Sequence, residues 1–221
     1  MRAKKHLGQN FLKAPQVVRR MVGVAEVDKS DTIVEVGPGK GVLTEALLNT
    51  GATVIAFEKD GDLIKHLSVR FKEAIASKQL TLIADDVLSQ PLAERSLPTE
   101  YKLVANIPYY ITGELLRFFL SSENQPTSMT LMVQKEVAER VVARDGKESV
   151  LSLSVKVFGD PHYIEKVPAR YFSPAPKVDS AILHVDDISR NLNTIQEETF
   201  FRIVKKAFLH RRKVLKHNLR G

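Results

Sequence analysis

Asp31-Thr-Ile-Val-Glu-Val-Gly37-Pro-Gly39-Lys-Gly41 decides the fold class of this 221-residue chain. β-Branched residues fill its first half and three glycines at alternate positions follow, a pattern typical of a buried strand that runs into a tight turn. Residues from Gly41 to Leu48 are then predicted to form a helix that Gly51 ends. A strand, a glycine turn and a helix in this order form the first unit of an α/β protein.

Strand and helix patterns go on alternating on either side of this unit. We predict helices over 15–24, 60–76, 113–121 and 135–143, and strands over 52–57, 80–84, 101–105 and 130–134. Strands separated by helices at this spacing predict a doubly wound, mostly parallel sheet with helices on both faces, which is a Rossmann-like α/β fold.

The region after residue 148 is less regular. Val150–Val157 alternates like a strand but fits a buried helix equally well. Tyr163–Val167 and Ala181–Val185 are predicted to be a closing pair of strands. Residues 197–219 are predicted to be helical, with three apolar side chains on one face, namely Phe200, Val204 and Phe208.

Composition excludes several classes of protein. The chain has no Cys, which excludes a disulfide framework, thiolate zinc or iron–sulfur sites, and a cysteine nucleophile. No apolar run approaches the roughly 18 residues that a membrane span needs. The N-terminus lacks the apolar segment of a secretory signal. We therefore expect a cytoplasmic protein that does not contact a membrane.

Positive charge is concentrated at the two ends of the chain. The net charge is +7, with six Lys or Arg and no acid in residues 1–20, and eight with no acid in residues 202–221. The rest of the chain therefore carries a net charge of −7. Cationic ends on an acidic body indicate a polyanionic partner. Two solvated ends are the alternative, and an anionic membrane surface is a weaker third.

The glycine turn predicts a site for a nucleoside-type cofactor, because ligands of open α/β sheets bind at the carboxyl ends of the strands. Glycines such as Gly37 and Gly39 let a ligand approach the main chain closely. The turn is not a phosphate-binding P-loop, since no Gly-Lys-Ser/Thr follows. It is not the dinucleotide pattern either, because Val42 stands where the third glycine would be.

Two acids follow the next two predicted strands. Glu58 comes 21 residues after Gly37, where a carboxylate can accept hydrogen bonds from ribose hydroxyls. Asp86 follows the third strand, where it can accept a hydrogen bond from an adenine amine. Each acid alone could be a solvated strand end. Together with the glycines they suit S-adenosylmethionine, since a redox dinucleotide would not call for the third element.

Asn106-Ile-Pro-Tyr109 follows the fourth strand and predicts the chemistry. The Asn106 amide and the Ile107 carbonyl, held outward by Pro108, can accept both hydrogens of an exocyclic amine and aim its lone pair at a methyl sulfonium. Tyr109 offers a flat face for the base, worth about 1–3 kcal/mol. The target base must be unpaired or flipped out. A loop that caps the next helix is the alternative interpretation.

These motifs together resemble the S-adenosylmethionine-dependent rRNA adenine-N6 dimethyltransferases, most closely the KsgA-type branch that acts on the small ribosomal subunit. The matching stretches span the chain: Lys5-His-Leu-Gly-Gln-Asn-Phe-Leu12, Val34-Glu-Val-Gly-Pro-Gly39, Leu43-Thr-Glu45, Asn106-Ile-Pro-Tyr109, Gln134-Lys-Glu-Val137, Phe172-Ser-Pro-Ala-Pro-Lys-Val-Asp-Ser180 and Phe208-Leu-His-Arg-Arg-Lys213. The family dimethylates two neighbouring adenosines in a loop near the 3′ end of small-subunit rRNA. The resemblance thus implies immature small subunits as partner, and a monomer without a metal.

The resemblance also implies roles for individual residues. The cofactor would be held by Asn10, Leu12, Gly37, Gly39, Glu58, Asp86 and Asn106. The target adenine would meet Asn106, Pro108 and Tyr109, with Phe172 stacking on its other face, although a Phe between prolines could equally be core. Phosphates would be bound by Lys4, Lys5, Arg211, Arg212 and Lys213.

The chain departs from the family pattern in two places. Val150-Leu151 stands where the family usually has Tyr-Gly, beside the target pocket. The family also continues past the Arg-Arg-Lys helix into a compact helical domain. We therefore expect residues 1–188 to form the methyltransferase domain, and residues 189–221 to be the incomplete start of a helical domain that contacts RNA.

Four rival functions share parts of this pattern. A relative that methylates large-subunit rRNA, of the antibiotic-resistance branch, would be separated by assaying the two subunits. A DNA adenine methyltransferase would modify duplex DNA and ignore rRNA. An assembly factor without catalysis would keep its role in subunit maturation after Asn106→Ala. A dehydrogenase would bind a nicotinamide dinucleotide.

Overall fold

The fold is seen in a computed structural model that describes residues 3–4, 7–189, 194–209, 216 and 218. In chain order its strands are β1 (Phe11–Leu12), β2 (Thr32–Val36), β3 (Thr53–Phe57), β4 (Leu80–Ile83), β5 (Lys102–Asn106), β6 (Ser128–Gln134), β7 (Asp160–Val167), β8 (Phe172–Ser173) and β9 (Ser180–Asp186). Its helices are α1 (Pro15–Val24), α2 (Val42–Leu48), α3 (Gly61–Arg70), α4 (Lys72–Ala76), α5 (Thr112–Leu120), α6 (Lys135–Val141), α7 (Val150–Lys156) and α8 (Thr194–Ala207).

Seven strands form the central sheet, in the order β4-β3-β2-β5-β6-β9-β7. The first five are parallel, and β9 lies antiparallel to both β6 and β7. The chain runs outward from β2 to β3 and β4 and then returns to place β5 on the other side of β2. The predicted doubly wound, mostly parallel sheet is confirmed. Its order reverses between β2 and β5, where such sheets bind their ligands.

Both faces of the sheet are buried, because successive side chains of a strand point to opposite sides. Val34 and Leu103 belong to the apolar cluster on one face, whereas Ile33 and Val104 belong to the cluster on the other. This burial explains why the strands are almost continuously apolar in sequence. Within the described ranges, no helix combines the length and apolar character needed to cross a membrane.

Two elements before residue 160 differ from the sequence prediction. The helix predicted over 60–76 breaks at Phe71 into α3 and α4, because this residue leaves helical geometry and buries its ring in one of the apolar clusters. The 150–157 segment is the helix α7, so the strand interpretation was wrong. Its start is fixed by a capping box in which Ser149 and Ser152 exchange side-chain and backbone hydrogen bonds.

The C-terminal helix is shorter than predicted. α8 ends at Ala207, rather than continuing unbroken to residue 219, and Asn218 donates a hydrogen bond to the Ala207 carbonyl at 2.6 Å. The Phe201 ring lies 6.2 Å from that of Phe158, and Val204 is buried. The described start of the 189–221 segment therefore packs against the part of the chain that contains Phe158.

A second, two-stranded sheet joins the N-terminal segment to the proline-containing stretch over residues 170–177, which lies between β7 and β9. β1 pairs antiparallel with β8, so that Leu12 lies opposite Phe172, and Lys13 N donates to the Tyr171 carbonyl at 2.8 Å. Two-residue strands leave no periodicity in a sequence, which is why the sequence analysis did not predict them. Their pairing fixes where the N-terminal segment crosses the molecule.

Candidate active site

One cavity opens at the carboxyl ends of the parallel strands, where the order of the sheet reverses. Nine of the predicted site residues line it: Asn10, Leu12, Gly37, Gly39, Glu58, Asp86, Asn106, Pro108 and Tyr109. They come from the N-terminal segment and from the loops that follow β2, β3, β4 and β5. Segments up to 96 residues apart in sequence, such as those of Asn10 and Asn106, are brought into contact here.

The glycine turn after β2 lines the cavity. Gly39 has a φ of +59°, and a Cβ built on it would lie 3.2 Å from the Phe11 ring. The Lys40 ammonium lies 4.8 Å from the centre of the same ring. The lack of a side chain at Gly39 therefore lets the N-terminal segment pass directly over the turn.

Glu58 is a buried carboxylate at the end of β3, with 6% of the residue exposed. One of its oxygens accepts from Gly39 N at 3.2 Å, and the other accepts from Asp60 N at 2.9 Å. Burial raises the pKa of Glu58. Each oxygen keeps a further lone pair for a donor in the cavity, as two neighbouring ribose hydroxyls would require.

Asp86 and its neighbour Asp85 have different partners. Asp85 binds the Arg95 guanidinium at 3.0 Å. Asp86 uses one oxygen to cap the following turn through Leu88 N at 3.1 Å, and its other oxygen lies 3.3 Å from Lys59 Nζ. Both acids line the cavity, and Asp86 does so with an oxygen held beside the Lys59 ammonium.

The motif after β5 places an amide beside the N-terminal segment. Asn106 Nδ2 donates to the Asn10 carbonyl at 3.4 Å, and Asn106 Oδ1 accepts no hydrogen bond from the residues that the structure describes. Tyr109 is half-buried, and its hydroxyl lies 2.6 Å from Ser180 Oγ. Burial raises the pKa of Tyr109, so the phenol stays neutral at ordinary pH.

The structure does not bring Phe172 into the cavity. The residue is 2% exposed and lies in the apolar cluster that also contains Leu12 and Val167. Its pairing opposite Leu12 holds it there. In this conformation its ring offers no free face to a base. Phe172 is a core residue here, which was the alternative interpretation of its sequence.

The predicted phosphate-binding residues fall into two groups. Lys4 Nζ lies 2.6 Å from Asp60 Oδ1 and 2.8 Å from Asp62 Oδ2, so its charge is matched within the protein instead of being turned to a phosphate. The other four lie outside the described residues: Lys5, Arg211, Arg212 and Lys213.

Glu35 is a cavity residue to which the sequence analysis gave no role. Its side chain is buried on β2, and Thr44 Oγ1 donates to it at 2.7 Å. Burial raises the pKa of Glu35 to about 8. The available signal was its position, since it is the single acid within the apolar strand that precedes the glycine turn.

The chemical character of the cavity fits S-adenosylmethionine. Glu58 provides acceptors for a diol, and Asp86 provides an acceptor for an amine. Apolar walls for a purine come from Val87 and Ile107. The turn at Gly39 leaves main-chain atoms open to the ligand.

Comparison with known proteins finds one matching family and several named relatives. The family model described as ribosomal RNA adenine dimethylase matches residues 1–221. The chain is 42% identical over 219 residues to ribosomal RNA small subunit methyltransferase A of Dehalococcoides mccartyi strain 195, covering 97% of this chain and 74% of that protein. The protein of the same name from Mycoplasmopsis pulmonis is 40% identical over 222 residues, with coverages of 100% and 84%.

Two solved structures with a similar fold have related names. A dimethyladenosine transferase from Plasmodium falciparum superposes with a TM-score of 0.80 and 28% identity, covering 94% of this chain and 74% of that one. The 23S rRNA methyltransferase ErmE superposes with a TM-score of 0.79 and 26% identity, with coverages of 95% and 83%. The fold is therefore shared with a structure named as a dimethyladenosine transferase and with one named as a 23S rRNA methyltransferase.

Proposed function

The chain belongs to the ribosomal RNA adenine dimethylase family, and from that premise we propose how its own residues carry the reaction. It is an S-adenosylmethionine-dependent enzyme that methylates the N6 of adenine in ribosomal RNA. We propose that its substrate is small-subunit rRNA, at two adjacent adenosines in a loop near the 3′ end. The shared name of the relatives from D. mccartyi and M. pulmonis supports this choice over the large subunit.

Different residues of the cavity would bind different parts of the cofactor. When bound, S-adenosylmethionine supplies a methyl group on a positively charged sulfur, which a neutral amine can attack directly. Glu58 would accept hydrogen bonds from the ribose hydroxyls, and Asp86 would accept one from the adenine amine. Gly37 and Gly39 would line the cofactor with main-chain atoms, and Asn10 and Leu12 would help to enclose it.

Asn106 orients the amine that is methylated. Its Oδ1 and the Ile107 carbonyl accept the two N6 hydrogens, which draws the nitrogen lone pair out of conjugation with the ring. The Asn10 carbonyl holds the other end of the amide, so that Oδ1 is the atom presented. Orientation supplies most of the acceleration, because an amine needs no strong base to react with a sulfonium. The proton released for each methyl passes to water.

We assign the stacking of the target base to Tyr109, beside Pro108. The hydrogen bond to Ser180 fixes its ring in the wall of the cavity. A base held in this way is unpaired, as sequence-selective RNA recognition favours. The stacking role of Phe172 stays a prediction, and it requires the β1–β8 pairing to move so that the buried ring is exposed.

The contacts with RNA outside the cavity are proposals as well. We propose that residues 189–221 begin a part of the protein that contacts RNA, with Lys5, Arg211, Arg212 and Lys213 on phosphates. Exposed Arg202 and Lys205 on α8 support this direction of approach. We also propose that the enzyme works as a monomer in the cytoplasm, where small subunits are assembled.

A single observation carries the proposal: Glu58 follows β3, Asp86 follows β4 and Asn106 ends β5, and all three line one cavity. The test is transfer of radiolabelled methyl groups to unmodified small subunits, followed by digestion to nucleosides. Label in dimethyladenosine of small-subunit rRNA is the expected result. Label only in large subunits or in duplex DNA assigns the chain to a rival function, and no label in any substrate rejects catalysis.

A further inference from the structure

The segment 7–12, here called the N-terminal strap, crosses the cavity. All six of its residues line it. Its carboxyl end is held by the β1–β8 pairing. Its amino end has no sheet partner among the described residues, so side chains must hold it in place.

Asp60 binds the amino end of the strap. Its side chain is 2% exposed, and its two oxygens accept from Lys4 Nζ at 2.6 Å and from Gln9 Nε2 at 2.9 Å. Lys4 N in turn donates to Gln9 Oε1 at 2.8 Å, which closes a ring of hydrogen bonds. A buried carboxylate and an ammonium from the chain end are thus joined directly beneath the strap.

A structural role as the cap of α3 does not explain this arrangement. Capping uses one bond, from Asp62 N to Asp60 Oδ1 at 3.0 Å, and a neutral Asn or Ser would make it equally well. Although burial raises it, the hydrogen bonds from Lys4 and Gln9 bring the pKa of Asp60 below its ordinary value. The carboxylate therefore stays charged, as its bond to Lys4 requires.

Asp60 is also connected to both ends of the proposed cofactor site, although it does not line the cavity itself. Its backbone N–H orients Glu58 through the bond at 2.9 Å. The strap that it holds presents the Asn10 carbonyl to Asn106. Asp60 therefore contacts the ribose acid through its backbone, and its side chain is linked through the strap to the amide at the methyl-transfer end.

We infer that Asp60 is a positioning residue whose carboxylate, through Lys4 and Gln9, fastens the N-terminal strap over the bound cofactor. The inference rests on the proposed function, because it takes the cavity to be the cofactor site. Releasing the strap is expected to act mainly on cofactor binding, because all six residues of the strap line the cavity. It is expected to slow the chemical step less, because Asn106 keeps its place on β5.

The test uses the full chain with Asp60→Asn, which keeps an acceptor for the α3 cap and removes the charge that Lys4 needs. We expect the Kd for S-adenosylhomocysteine, measured by calorimetry, to rise about 10-fold. Hydrogen exchange of amides 7–12 in the cofactor-free protein is expected to speed up. The KM for S-adenosylmethionine is expected to rise more than kcat falls.

Two further variants separate the strap from general stability. Lys4→Gln is expected to raise the Kd by a similar factor, and to add little when combined with Asp60→Asn, because both remove the same contact. Asp62→Asn is the matched control: it removes the more exposed partner of Lys4 and is expected to leave the Kd unchanged.

The inference is overturned if Asp60→Asn lowers only the melting temperature while the Kd and the exchange of residues 7–12 match the wild type. Asp60 is then a helix cap and nothing more. The proposed function fails in a different way, when the wild-type protein does not bind S-adenosylhomocysteine or transfers no methyl group to rRNA.

Discussion

Glu35 lies in the most unusual environment of any acid in the cavity. It is 1% exposed, hydrogen-bonded to Thr44, and close enough to Glu58 for the two to repel each other. Burial raises its pKa from an ordinary value of 4.5 to about 8. The native protein therefore keeps a proton on Glu35 at pH values where the unfolded chain has released it.

Glu35→Gln is expected to change how stability depends on pH. The contribution of neutral Glu35 is fully present below pH 4.5 and is lost as pH rises to about 8, because the unfolded state binds fewer protons in that window. Gln keeps the acceptor for Thr44 and has no proton to lose. At pH 8 the variant is expected to be more stable than the wild type by about 1–3 kcal/mol.

Denaturant titrations from pH 5.5 to 8.5 measure this difference. The stability advantage of the variant should grow from pH 5.5 to about 8 and level off above it. Two curves that stay parallel would show that Glu35 does not titrate with a raised pKa.

Asn106→Ala is expected to lower the methyl-transfer rate by about 100-fold or more, because it removes an acceptor placed where the amine reacts. Asn106→Asp is the matched variant: it keeps an acceptor oxygen but cannot donate to Asn10, and it should lose less. Single-turnover transfer with bound cofactor measures the effect. An Ala variant as fast as the wild type contradicts the role of Asn106.

At the scale of elements, the turn before α2 depends on a residue without a side chain. Gly41 has a φ of +81°, and a Cβ built on it would lie 2.5 Å from the Phe71 ring and 2.9 Å from Leu67. The ring that breaks the predicted long helix at Phe71 is thus the one that fills the space beside Gly41. The break between α3 and α4 and the glycine turn therefore depend on the same contact, in which the Phe71 ring packs against Gly41.

Gly41→Ala is expected to destabilise the protein by about 2–4 kcal/mol, from the positive φ and from crowding in the core. Thermal melting measures it as a fall of about 5–15 °C. Gly113→Ala is the control, because its Cβ would meet no atom within 4 Å on helix α5, and it should not be destabilised. Equal melting temperatures for both variants would contradict the packing argument.

The sequence predicted most elements but not their ends or their joints. Strands β2, β5 and β6 are apolar because both of their faces are covered, and a run of apolar residues can be recognised from the local sequence alone. α7 could not be told from a strand, because seven residues are too few for periodicity to decide. Phe71 has an ordinary apolar position in a helical pattern, and only its neighbours across the core explain why the helix stops there.

At the scale of the whole molecule, charge is expected to govern binding of RNA. Replacing Arg211, Arg212 and Lys213 by Gln should weaken binding of a small-subunit rRNA fragment. It should also reduce the slope of log affinity against log salt by about 2, at roughly 0.7 per phosphate contact on single strands. Lys72→Gln, an exposed residue of α4, is the control and should leave the slope unchanged.

Fluorescence anisotropy at salt concentrations from about 50 to 300 mM, which bracket physiological ionic strength, measures the slope of log affinity against log salt for both variants. If the triple variant and the control have the same slope, these three residues do not contact phosphates.

By itself the sequence determined the doubly wound sheet, the family and nine of the residues that line the cavity, because these depend on local patterns and on the rule that parallel strands end at one edge. The tertiary structure alone decided that Lys4 pairs with Asp60, that Phe172 is buried, and that a strap closes the cavity. Each of these joins residues more than 50 positions apart in the chain, or depends on which side of a two-residue strand faces the core. No local pattern records such contacts, because they arise only when separate elements pack together.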